Sequence, residues 1–249
     1  MQRVAITYGP RRGWVYVRAL CGADEDSVDG TDTASAIALI DRVLVRVPGA
    51  VYGPGDAHAL VAADRDRVLA AIYVREVGSK VTSSPVCASC KAAFDIDFDL
   101  SAIVGALVPE AAAPMRAGDG SYTTAAGTRF QLPTGEDELC AASSPSPRDE
   151  LAARCHLGGP LDVEALAAAM EAAAPLVDIE LDTSCAECGH PQSLHFDVQS
   201  FLLGWLVAER RQRMFEQHLL ARSLRWSLTE ILSLTRTQRR FHAELADRG

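Results

Sequence analysis

Two Cys-x-x-Cys pairs carry the clearest chemistry in this chain. Cys87-Ala-Ser-Cys90 and Cys185-Ala-Glu-Cys188 stand 98 residues apart. Thiolates are soft anionic ligands, and four of them in two close pairs make the tetrahedral shell of a structural zinc ion. A CxxC in a tight turn spans one edge of that tetrahedron. A second pair closes it and leaves no open position for a substrate. The pattern predicts structural Zn2+ held by Cys87, Cys90, Cys185 and Cys188, with stability and docking as its role. A redox dithiol is the rival reading, but such a pair sits at a helix N-terminus beside a βαβ pattern. Here a strand pattern follows each pair. His190 could take one ligand position, at the cost of leaving a sulfur unused. Cys21, Cys140 and Cys155 lack ligand spacing and read as buried small hydrophobes. His156, His195 and His218 have no visible partner.

The elements around the pairs repeat with them. Sliding the sequence by 98 aligns residues 64–107 with 162–205 without a gap. Asp64 meets Asp162, Val68 meets Leu166, Val81 meets Ile179, Phe98-Asp99 meets Phe196-Asp197, and Leu107 meets Trp205. Each copy reads as a helix opened by Asp64 or Asp162, a strand, the CxxC turn, a returning strand and a further helix. Val177-Asp178-Ile179-Glu180-Leu181-Asp182 and Phe94-Asp95-Ile96-Asp97-Phe98-Asp99-Leu100 alternate apolar and polar residues, the mark of half-buried strands. The acidic positions of the latter form a solvated face. A weaker echo lies upstream, between Tyr16-Val17-Arg18-Ala19-Leu20-Cys21-Gly22-Ala23-Asp24-Glu25 and 130–138. There the register exceeds 98, and helices at 33–46 and 149–156 follow. Residues 109–128, rich in Ala, Pro, Gly and Ser, read as a linker. A long helix is expected from Gln199 to about Leu220. Ser227 and Glu230 then have capping-box spacing.

The expected fold is α+β: internally duplicated strand–helix–helix–CxxC hairpin–helix units, joined by a shared zinc-ribbon-like four-cysteine site, with a C-terminal helical extension. The expected divisions are a first unit at 1–108, the linker at 109–128, a second unit at 129–206 and the extension at 207–249.

Composition narrows the function. A hydrophobic fraction of 48% supports a proper core, and no run matches a membrane span or a secretory signal. A cytoplasmic protein is expected. The net charge of −9 argues against a general nucleic-acid binder. Residues 207–249 hold nine Arg against five acidic residues, which leaves −13 for the rest. Arg236, Arg239 and Arg240 could mimic a helix-turn-helix; a packed helical hairpin with a basic outer face is the simpler reading. No phosphate loop, HExxH, GxSxG or carboxylate pair in a motif context occurs. No catalytic residue, no organic cofactor and no small-molecule substrate are expected, and the chain reads as a non-enzyme.

The composite pattern of Gly22-Ala23-Asp24-Glu25, Asp64-Arg65-Asp66, Cys87/Cys90, Cys185/Cys188-Gly189-His190 and Trp226-Ser227-Leu228-Thr229-Glu230-Ile231-Leu232-Ser233-Leu234 resembles proteins of phage tail-like contractile injection systems. These are distantly similar to the T4 phage baseplate hub and assembly family. The resemblance covers most of the chain. It implies a non-enzymatic role in baseplate or tail assembly, as a component of the particle or as an assembly chaperone. Its partners would be other baseplate and tail proteins, not nucleic acid or membrane. The helix from 199 and the Arg-bearing tail are the candidate contact surfaces. The alternative is a zinc-ribbon nucleic-acid-binding or transcription-associated protein. It would need exposed basic and aromatic side chains near the cysteines, where only Lys91 stands, beside Glu187 and Asp95.

Overall fold

The computed structural model describes residues 1–247. They fold as a mixed α/β protein with small antiparallel sheets. β1 (Gln2–Ile6) and β2 (Gly13–Val17) make a first hairpin. α1 (Gly22–Asp26) and α2 (Thr33–Val43) follow. A 3-10 turn at Ala57–Ala59 leads into α3 (Ala62–Glu76). β3 (Lys80–Ser83) and β4 (Ile96–Asp99) form the second hairpin, continued by α4 (Leu100–Ala106). Next come β5 (Met115–Arg116), β6 (Tyr122–Thr123), β7 (Arg129–Phe130), α5 (Gly135–Ala142), α6 (Pro147–Cys155) and β8 (His156–Gly158). The four strands of this stretch make one sheet in sequence order. α7 (Val163–Ala173) leads to the hairpin of β9 (Asp178–Ser184) and β10 (Pro191–Asp197), and then to α8 (Val198–Ala208). α9 (Arg210–Leu224), α10 (Leu228–Ser233) and α11 (Arg236–Asp247) close the chain.

The main core joins β1, β2, α2, α3 and α8 to the inner faces of the two CxxC hairpins. Leu202, Leu203 and Leu206 of α8 are fully buried. Each such side chain contributes about 1.5–3 kcal/mol. Phe98 and Phe196 meet edge to face at 4.9 Å, so the hairpins pack on one another. Residues 109–128, expected as a linker, carry two short strands. These, β5 and β6, pair with each other, and β6 pairs with β7. Tyr122 stacks on Phe130 at 5.6 Å and donates its hydroxyl to the Tyr8 carbonyl at 3.0 Å. Strands of two residues are too short for alternation to show in the sequence.

The expected boundary at 206/207 falls inside α8. The expected long helix is two. The chain turns at Glu209, and Arg213 Nη1 donates to the Leu206 carbonyl at 2.6 Å, satisfying a group the turn frees. The helix starts also differ from each other. Asp162 caps α7 by accepting the amides of Glu164 and Ala165. Asp64 lies inside α3 instead and accepts the amides of Thr7, Tyr8 and Gly9, pinning the loop after β1.

Asp66 ties α3 to the last hairpin by accepting the Val177 amide at 3.0 Å. Burial pushes its carboxyl up to about 7, against the opposing pull of Arg65. The folded state therefore holds this proton more tightly than the unfolded chain does. The stabilisation is complete below about pH 4 and is lost as pH rises through about 7. Asp66→Asn keeps an acceptor for Val177 and removes the titration. The stability difference between wild type and variant should therefore change by up to roughly 1.4 kcal/mol per pH unit between pH 4.5 and 6.5. Urea melts at three pH values check this, because other titrations cancel in the difference. A constant difference would show that Asp66 is ionised throughout.

Candidate metal centre

Each CxxC lies in the connection of an antiparallel hairpin, and the two connections are built alike. In β3–β4 the Cys87 amide donates to the Ala92 carbonyl at 2.9 Å, and the Lys91 amide donates back to Cys87 at 3.2 Å. In β9–β10 the Cys185 amide donates to His190 at 3.0 Å, and Gly189 donates back to Cys185 at 2.8 Å. Lys91 and Gly189 hold the same left-handed backbone, φ 61° and 70°. Glycine adopts it freely, whereas the lysine bears a steric cost of about 1–2 kcal/mol. Its amide still closes the turn.

The four sulfurs converge. All lie within 4.8 Å of one another. The Cys87 and Cys188 sulfurs are 3.7 Å apart, and those of Cys90 and Cys185 are 3.8 Å apart. A tetrahedron with ~2.3 Å metal–sulfur bonds has edges of about 3.8 Å. These close approaches run across the two pairs, as a site shared by both hairpins requires. Cys87 and Cys185 are buried, while Cys90 and Cys188 face solvent. All four sulfurs, from two hairpins, share one cluster, which suits a shared metal better than exchange within one CxxC.

The electrostatics point the same way. The Cys90 and Ser89 amides aim at the Cys87 sulfur and lower its thiol to about 6. The His190 amide pulls Cys188 down, but sharing protons with Cys90, Cys87 and Cys185 outweighs it, and this thiol is pushed up to about 12. Four sulfurs this close cannot all ionise without a cation between them.

Phe94, Ile96 and Leu194 form an apolar floor beneath the buried sulfurs. The Ala88 amide donates to Gln192 Oε1 at 3.1 Å, from one turn to the other hairpin. The role of Gln192 carries no signal in the sequence. The left-handed turn position does, because Lys91 and Gly189 fall in the 98-residue register. The His190 side chain is outside the cluster among the described residues. Cys155 is buried as expected. Cys140 is exposed and Cys21 half-buried, contrary to expectation; Cys21 sits at the N-cap of α1, with Asp24 completing a capping box.

Three arginines of the C-terminal helices turn inward. Arg213, Arg236 and Arg239 are all but fully buried around Glu25 of α1, itself inaccessible. Arg236 Nη2 lies 2.5 Å from Glu25 Oε1, and Arg239 Nη2 2.7 Å from Oε2. Of the three arginines expected on a basic outer face, Arg236 and Arg239 are therefore buried, while Arg240 stays half-exposed, and one side of α8 packs into the core. Among the described residues no helix is long and apolar enough to cross a membrane. Comparison of the chain with protein-family models, with curated proteins and with solved structures finds no match in any of the three.

Proposed function

We propose that this protein is a non-enzymatic scaffold of two duplicated units fastened by one structural zinc ion. It acts through protein–protein contacts in the assembly of a phage-like contractile tail or baseplate, as the sequence resemblance implies. The carrying observation is the four-sulfur cluster, two of whose edges, at 3.7 and 3.8 Å, match tetrahedral zinc and whose ligands come equally from two hairpins. A closed four-thiolate site supplies folding free energy and leaves no position for a substrate.

Several equivalences support duplication. The hairpins share one register, with Lys80 opposite Asp99 and Asp178 opposite Asp197. The Leu100 amide donates to the Ser79 carbonyl, as Val198 does to Val177. Upstream, α1 and α5 both open with a capping box, through Asp24 and Asp137. Arg42 pairs with Asp24 at 3.2 Å, and Arg154 with Asp137 at 2.9 Å. The helix docked on each opening is also alike. The Gly135 amide donates to Leu60 and the Gly22 amide to Leu234. Arg65 meets Glu138 at 3.0 Å, as Arg239 meets Glu25 at 2.7 Å.

Two measurements test the proposal. Metal analysis of the purified protein should give one zinc per chain. Affinity capture should then retain sheath, tube or baseplate proteins encoded beside it. Absence of zinc, or binding to DNA that falls steeply with salt in place of those proteins, would overturn it.

A further inference from the structure

An open apolar groove of about 680 Å³ lies between α7 and the α5–α6 pair. Its walls include Leu132, Leu151, Ala167, Met170, Leu176 and Ile179. The acidic residues Glu138, Glu171 and Asp178 also border it, and no Lys or Arg is among its lining residues. The corresponding place in the first unit is full. By the 98-residue register, Ala167, Met170 and Glu171 match Leu69, Ile72 and Tyr73 of α3. By the Arg42/Arg154 equivalence, Leu151 matches Leu39 of α2. Helix α8 lies on this α2–α3 bed. Phe201 and Trp205 meet Tyr73 at 5.5 and 6.1 Å, and Gln199 Nε2 donates to the Thr31 carbonyl at 3.1 Å. Arg236 stacks on Trp205 at 4.1 Å while pairing with Glu25, the match of Glu138.

The counterpart of α8 in the first unit is α4, and it cannot fill the second bed. It ends at Ala106, with Gly105 at the register position of Leu203. It packs against α3 instead. Leu107, in the place of Trp205, reaches only the groove wall. Resting on the duplicated-unit reading above, we infer that the groove is a docking seat for an amphipathic helix of a partner protein. That helix presents leucines and an aromatic side chain inward, and a basic residue towards Glu171, since Glu138 already pairs with Arg65. The volume suits the three or four side chains that two turns of such a helix bury, roughly one apolar stripe.

The probe is a fluorescent peptide of residues 198–212, the chain's own helix for the equivalent bed, added to the intact protein. Saturable binding is expected, weakened at least tenfold by Ala167→Arg. Position 167 is exposed on α7, so the variant fills the groove while its zinc content and melting temperature stay unchanged. Absent binding, or equal binding to wild type and variant, overturns the inference. So does a concentration-dependent dimer that Ala167→Arg dissolves, because the occupant is then a second copy. Zinc content read on the same samples separates the two proposals: zinc without peptide binding faults only the groove, and peptide binding without zinc faults only the metal centre.

Discussion

Cys87→Ser should release the metal and loosen both hairpins together. A structural four-thiolate zinc site is worth on the order of 10 kcal/mol or more in small peptides, much of it folding free energy. Cys87 is the buried ligand whose sulfur lies 3.7 Å from Cys188 across the two hairpins. A serine hydroxyl in its place is a poor zinc ligand and leaves three thiolates competing with solvent. Zinc per chain should fall well below one, and the melting temperature should drop by about 10 °C or more. Hydrogen exchange is the decisive measurement. The amides of β9 and β10 should lose protection as fully as those of β3 and β4, although the substitution lies in the first hairpin alone. Intact protection of β9–β10 would mean that each hairpin holds its own ion. Cys140→Ser, outside the cluster and exposed, is the control and should change neither zinc nor stability.

The same two hairpins were the most legible part of the sequence, for a physical reason. A half-buried strand must alternate, and a metal ligand must be of a particular type at a particular spacing. Both constraints act within ten residues of chain and leave a local trace. The capping box of Ser227 and Glu230 is local in the same way, and it forms. What stayed hidden depends on distant partners. Asp64 and Asp162 occupy the same register position and look alike in sequence, yet one grips the loop after β1 and the other caps its own helix. Nothing near Asp64 encodes that choice. The tail arginines read as a solvated basic face because Glu25 lies about two hundred residues away. The break at Glu209 involves neither Gly nor Pro. It is held by Arg213 reaching back to the Leu206 carbonyl, so helix propensity alone could not reveal it. The groove, likewise, becomes visible only when both beds can be compared in space.

Glu25→Gln should unlatch the C-terminal helices. The carboxylate is wholly inaccessible, and its two oxygens neutralise Arg236 and Arg239, with Arg213 at 3.9 Å. The contacts are close ion pairs off the hydrogen-bond direction, so charge balance, more than directed bonding, holds the cluster. Glutamine preserves shape but leaves guanidinium charge buried without its counter-ion. Removing one member of such a cluster typically costs about 3–5 kcal/mol, because the remaining charge cannot return to water. A guanidinium keeps its proton even when buried, so the charge left on Arg236 and Arg239 cannot escape by deprotonation. The structure opens instead, at the short bridge where the Gly22 amide donates to Leu234 at 3.1 Å. Two readouts should move together: hydrogen exchange of α10 and α11, and the emission of Trp205, on which Arg236 stacks. Arg240→Ala removes half-exposed ion pairs with Glu209 at 2.7 Å and with Glu216 at 3.7 Å and should cost under about 1 kcal/mol. Glu138→Gln, at the equivalent but more exposed pair with Arg65, should fall between them, at about 1.5–3 kcal/mol. Equal costs at Glu25 and Arg240 would show that the buried cluster is hydrated, and that the tail is held by Leu220, Ile231 and Ala243 rather than by charge.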